Sequence, residues 1–226
     1  MSLISNRTNR SSLRKGDHVY SYRNLHAYSH HGIYVGDNRV IHFTRTQESE
    51  SESSADNNFK IKRCKHCGYE PKKDRGVVKT CLKCFLKGHR LFRFKYGVPS
   101  SNLVLNRSGT CTTGSCGFSE DEVVQRATDI LKSDEGFGHF DIFGNNCEAF
   151  AMYCKTGKRV SLQAFSLKNK GEIASEVMRR QSFSMKKAIE SGLNLVVKNR
   201  IDTLHYDMEM HQQDRSVADN VVILSA

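Results

Sequence analysis

Three residues have the types and settings that a thiol nucleophile and its bases need: Cys147, His30 and His42. A cysteine attacks as the thiolate, and a helix N-terminus together with a nearby imidazole lowers a thiol pKa from about 8.5 to below about 7.5. Cys147 follows Asn145-Asn146, whose side chains suit a helix cap, and opens the run CEAFAMYCKTG, so it is expected in a first helical turn. His30 and His42 stand on either side of the turn sequence Gly36-Asp37-Asn38. Both point to one sheet face only if the turn sets the strand register accordingly. The competing account is structural: a first-turn cysteine as a small buried hydrophobe, and strand histidines as core or surface residues.

A second set of residues suits a metal. Cys64-x2-Cys67 and Cys81-x2-Cys84 are separated by thirteen residues, and each pair places two sulfurs around a tetrahedral ion. The expectation is structural zinc, because four thiolates leave no open position for a reactive water. No cofactor is then required for catalysis. His66 and His89 are alternative ligands, and free buried thiols are the competing account. No role follows for Cys111, Cys116 or Cys154.

These residues need a scaffold. The alternating runs HVYSYR, HGIYVG and VIHFTR read as an antiparallel meander with a hairpin turn at Gly36-Asp37-Asn38. The acidic, Ser-rich stretch 46–57 reads as a loop to a separate module, after which LFRFKYGV returns to the sheet. SEDEVVQRATDILKS predicts a helix capped by Ser119, with Val123, Val124, Ala127, Ile130 and Leu131 on one face. HFDIF reads as a short extended piece, and Gly157 ends the Cys147 helix. The expected organisation is a mobile leader over 1–15, a catalytic domain over 16–160 with a cysteine module inserted at 58–90, and a basic helical extension with a polar tail over 161–226.

The segments HHGIYVGDNRVIHF and NNCEAFAMYCKTG resemble the two signatures of the lecithin retinol acyltransferase-like (NC) family, a permuted branch of the papain-like NlpC-type superfamily. The resemblance is nearest to plant members, which carry a similar paired-cysteine insertion. It implies an α+β fold, an antiparallel sheet packed against helices, with the small cysteine module inserted. It also implies His30, in preference to His31, as base, His42 as the histidine that orients it, and Cys147 as nucleophile, with Asn146 and Glu148 in supporting places. Ala149 departs from the family's usual NCEHF pattern. The implied chemistry is phospholipid acyl transfer or acyl hydrolysis through a thioester on Cys147, with the oxyanion held partly by N–H groups at the helix start. A peptidase or amidase, or a non-catalytic interaction protein that keeps the fold, are the alternatives.

A formal net charge of +11 suits nucleic acid, anionic membrane or acidic substrate without choosing among them. No basic-aromatic reader motif is present, so no specific nucleic acid is expected. The expected partners are a lipid or other acyl donor, an anionic membrane surface met by the basic stretch around Arg179, Arg180, Lys186 and Lys187, and other proteins. No run approaches the roughly 20 apolar residues of a membrane span, and the N-terminus lacks the apolar core of a secretory signal. A cytoplasmic, membrane-peripheral location is therefore expected. Eight cysteines in such a reducing setting argue for metal or catalysis over disulfides.

Overall fold

A computed structural model describes residues 6–24, 27–46, 63–100 and 108–166. The chain divides into two compact units. One holds residues 4–94 and 116–161, and the other holds 1–3, 95–115 and 162–226. In the second unit, Lys95 and Cys111 form a parallel bridge, with Thr112 N–H donating to the Lys95 carbonyl at 2.9 Å. The basic C-terminal stretch lies outside the described residues.

The first unit is built on a five-stranded antiparallel sheet in the order β4-β3-β2-β1-β5. Its strands are β1 His18–Arg23, β2 Tyr28–Gly36, β3 Arg39–Phe43, β4 Val77–Cys81 and β5 Phe92–Arg93. Its helices are α1 Leu82–Leu86, α2 Glu120–Lys132 and α3 Cys147–Thr156. This is the expected α+β architecture.

Alternation sorts the strand side chains onto two faces. Ile33, Ile41 and Phe43 pack with Val123 and Ala127 of α2 and Ala149, Phe150 and Ala151 of α3. On the other face, Val19, Tyr34 and Val40 pack with Leu82, Phe85 and Leu86 of α1. Ser119 caps α2 in a reciprocal capping box with Glu122, which satisfies two helix-start N–H groups.

Three local features differ from the sequence reading. From Asn6 the leader is tied down: the Asn6 carbonyl accepts from Arg93 N–H at 2.9 Å, and Thr8 N–H donates to the Leu91 carbonyl. The chain rejoins the sheet at Val77, well before LFRFKYGV, because β4 pairs along the whole of β3; within LFRFKYGV, Phe92–Arg93 form β5. The HFDIF segment is a turn rather than an extended piece. Asn145 draws it back by donating to the Phe137 and His139 carbonyls, and Gly138 takes a left-handed conformation.

Candidate active site and metal centre

Asp37 and Asn38 both have positive φ, 49° and 54°, as a tight two-residue hairpin between Gly36 and Arg39 requires. Carried along both strands, that pairing would set His42 opposite Ile33. His42 would then face away from His30. A register shift between Tyr34 and Gly36 inserts one extra residue, so that Tyr34 pairs with Val40 and Ile33 with Ile41. Continuing this register puts His42 opposite Gly32, and hence on the face of His30.

The two imidazoles meet there, His30 Nε2 to His42 Nδ1 at 2.9 Å, with their rings nearly perpendicular. Gly32 makes the meeting feasible. A Cβ at that position would lie 2.9 Å from His42 Cβ and 2.7 Å from Val40 Cγ1. Phe85 of α1 packs on both rings at 5.3 Å. On its far side, His42 Nε2 contacts Thr80 Oγ1 at 3.0 Å. Thr80, which the sequence reading missed, comes from β4 and shares the face of Val40 and His42.

His31 occupies the opposite face. Its Nδ1 contacts His18 Nε2 at 2.9 Å and its Nε2 contacts Ser29 Oγ at 2.8 Å. Both of its ring nitrogens are thus engaged in a buried polar ladder. His30, by contrast, keeps Nδ1, the nitrogen nearest its own backbone, outside the imidazole pair.

Cys147 begins α3, as the sequence suggests. Asn146 caps the helix, with Oδ1 accepting from Glu148 N–H and Ala149 N–H at 3.0 Å each. Asn146 Nδ2 donates to Ser161 Oγ, which in turn donates to Glu148 Oε2 at 2.7 Å. Asn146, Glu148 and Ser161 therefore form one buried bracket around the start of the helix. Ser161 lies thirteen residues beyond Glu148, and no spacing rule points to it. Asn146 thus engages two helix-start N–H groups, and those of Cys147 and Glu148 lie where they favour a thiolate on Cys147.

The thiol lies against β2 beyond the end of its ladder with β3, where Sγ is 3.8 Å from the Ser29 carbonyl. The N–H of His31 favours its thiolate form. Cys147 is thus set against the backbone on both sides of His30, without a hydrogen bond to either imidazole. Its electrostatics reverse the expected activation. Burial dominates and pushes the thiol up to about 12, against the opposing pull of the His31, Cys147 and Glu148 N–H groups. Burial likewise pushes His42 down to about 3, with help from Lys87 and Arg23, and holds His30 well below the ordinary imidazole value. At rest the site is a neutral thiol beside neutral imidazoles. Arg23 is buried and donates to Ser21 Oγ at 2.8 Å and to the Phe85 carbonyl. Its charge is positioned to favour a Cys147 thiolate.

Cys64, Cys67, Cys81 and Cys84 converge. Their sulfurs lie within 4.8 Å of one another, with Cys64–Cys81 at 3.9 Å and Cys67–Cys84 at 3.7 Å. Four sulfurs about 2.3 Å from one ion, as for zinc, would stand about 3.8 Å apart, so the set fits a tetrahedral metal. His66 and His89 are not among the four. The His66 and Cys67 N–H groups lower the Cys64 thiol to about 6, which favours a thiolate there. The cluster adjoins the imidazole pair through the chain itself, because Cys81 follows Thr80.

A family model described as lecithin retinol acyltransferase matches residues 11–160. The chain belongs to the lecithin retinol acyltransferase family. It is similar to Protein LEAD-SENSITIVE 1 of Arabidopsis thaliana, 45% identical over 183 residues that cover 77% of this chain and 69% of that protein. It is also similar to the lecithin retinol acyltransferases of mouse, 29% identical over 160 residues, and human, 28% over 155. Each of these matches covers 68% of this chain and 59% of the animal protein's length. No solved structure matches. Family membership suggests acyltransferase-type activity, and the plant relative agrees with the resemblance to plant members. Among the described residues, no helix is long and apolar enough to cross a membrane.

Proposed function

We propose that this chain moves acyl groups from a glycerophospholipid or similar lipid ester through a thioester on Cys147. The observation that carries this reading is the His42–His30 pair, which leaves only His30 Nδ1 uncommitted beside the stretch of β2 where Cys147 lies. In the first step the S–H proton passes to His30 Nδ1 as sulfur attacks the ester carbonyl. The tetrahedral oxyanion takes the N–H of Cys147, and its collapse expels the alcohol, which receives the proton from His30. Water, an alcohol or an amine then attacks the thioester with His30 again as base, and Cys147 returns to the thiol. Substrate must complete the alignment, since catalytic hydrogen bonds often tighten only in the bound complex.

The four cysteines hold structural zinc in this reading. With no open position, the ion serves the architecture of β4 and α1 and takes no part in the reaction. Elemental analysis under reducing conditions should find about one equivalent of zinc per chain, and less than about half would count against it. In this reading the protein works on the cytoplasmic side of membranes, held peripherally by the basic stretch around Arg179, Arg180, Lys186 and Lys187.

The direct test is to incubate purified protein with phospholipid or an activated ester and look for an acyl adduct on Cys147 by mass spectrometry. The expected adduct disappears in Cys147→Ala. A well-folded protein that forms none with either donor overturns the proposal. The buried thiol, 5% exposed and pushed up to about 12, favours one second reading, a non-catalytic interaction protein. That reading expects no adduct under any lipid condition.

A further inference from the structure

We propose that Thr80 is a positioning residue that sets the direction of proton donation along Thr80–His42–His30, and so keeps a lone pair on His30 Nδ1. The proposal rests on His30 being the base of the acyl-transfer site.

Three contacts define the chain of groups. Thr80 Oγ1 lies 3.3 Å from the Cys81 carbonyl and 3.0 Å from His42 Nε2, and His42 Nδ1 lies 2.9 Å from His30 Nε2. All three side chains come together because the β3–β4 register, Val40 with Thr80 and His42 with Val78, sets Thr80 and His42 diagonally on one face.

A neutral imidazole carries one N–H and one lone pair, so the chain has only two self-consistent directions. In the first, Thr80 donates its hydroxyl proton to the Cys81 carbonyl and accepts from His42 Nε2–H. His42 Nδ1 then accepts from His30 Nε2–H, and His30 Nδ1 is a bare base. In the second, Thr80 donates to His42 Nε2, both imidazoles carry the proton on Nδ1, and His30 has nothing with which to take the thiol proton. The Cys81 carbonyl can only accept, and its presence beside Oγ1 selects the first direction. Cys81 is also one of the four clustered sulfur residues, so the segment that supplies this carbonyl is held by the same cysteines that suit a metal.

Thr80→Val keeps the shape and removes the hydroxyl. The buried His42 Nε2–H then has no acceptor, a state that costs enough to drive the proton to Nδ1. That proton next faces His30 Nε2, and His30 must move its own proton to Nδ1. One hydroxyl lost at β4 therefore blocks the base two side chains away.

The test uses the full chain with ¹⁵N-labelled histidine. Wild type should show the proton on Nε2 of both His30 and His42, and this assignment needs no variant. Thr80→Val should shift both to Nδ1–H and slow Cys147 acylation by an activated ester on the order of 10- to 100-fold. Thr80→Ser should restore both the tautomers and the rate. A wild-type protein with the proton on His30 Nδ1, or Thr80→Val with unchanged tautomers, overturns the role given to Thr80. Absence of any acylation in wild type with the tautomers as stated overturns the acyl-transfer reading instead.

Discussion

Gly32→Ala tests how the imidazole pair is built. The added Cβ would lie 2.7 Å from Val40 Cγ1, 2.9 Å from His42 Cβ and 2.9 Å from the Ile41 carbonyl oxygen. Ordinary contact begins at 3.4 Å, so each neighbour is between 0.5 and 0.7 Å too close. None can swing aside cheaply. Val40 and Ile41 are buried at the centre of the sheet, and Ile41 pairs with Ile33 in the β2–β3 ladder. Such overpacking costs about 1–3 kcal/mol, partly offset by about 0.4–1 kcal/mol from the stiffer unfolded chain. A net loss of about 1–2 kcal/mol lowers Tm by roughly 2–8 °C in a domain of this size. The damage to the site should exceed the damage to the fold, because relief of the clash moves His42 away from both Thr80 and His30. Calorimetry and the rate of Cys147 acylation, measured on one preparation, separate the two effects. If Gly32→Ala melts within about 1 °C of wild type and acylates Cys147 at the same rate, the close approach of β3 to β2 is not what holds the pair.

Ser161→Ala should destabilise the protein by about 1–3 kcal/mol, since it takes a buried partner from both Asn146 Nδ2 and Glu148 Oε2; a denaturant midpoint unchanged from wild type refutes this. Acid should weaken the fold. His31 and His42 are pushed down to about 3 by burial, and His18 and His30 move the same way. The folded state thus binds fewer protons than the unfolded one below pH 6.5, the ordinary imidazole value. The stabilisation is complete above that pH and drains away as pH falls toward 3, by up to about 1.4 kcal/mol per pH unit for each imidazole. Urea midpoints at pH 7.5 and 5.0 check the sign, and equal midpoints contradict it. At pH 7 without substrate, iodoacetamide should label exposed Cys116 well before buried Cys147, as peptide mapping over time will read. Faster labelling of Cys147 means the resting thiol is already ionised.

Local chemistry was legible wherever a residue's job is done by its immediate neighbours. Ser119 announces a helix cap, Asn146 an N-cap, Gly157 a helix end, and Gly36-Asp37-Asn38 a hairpin turn. The four cysteines were readable too, because each ligand turn is only four residues long. The Cys147 environment was half legible: its helix start argues for a low thiol pKa, and burial, which no spacing records, outweighs it. HFDIF was misread as extended because its alternation is local, whereas the turn depends on Asn145 reaching back to two carbonyls.

The order His30, His42, Cys147 and the cysteine spacing thus came from the sequence alone, since residue type and turn length are properties of short segments. Three features waited for the tertiary structure. One extra residue between Tyr34 and Gly36 turns His42 to the face of His30, and side-chain parity along a strand is reversed by a single insertion. Thr80 joins the pair from a strand 38 residues further on. The burial that raises the Cys147 thiol pKa is also tertiary, because desolvation is set by everything that surrounds a group and not by the residues beside it in the chain.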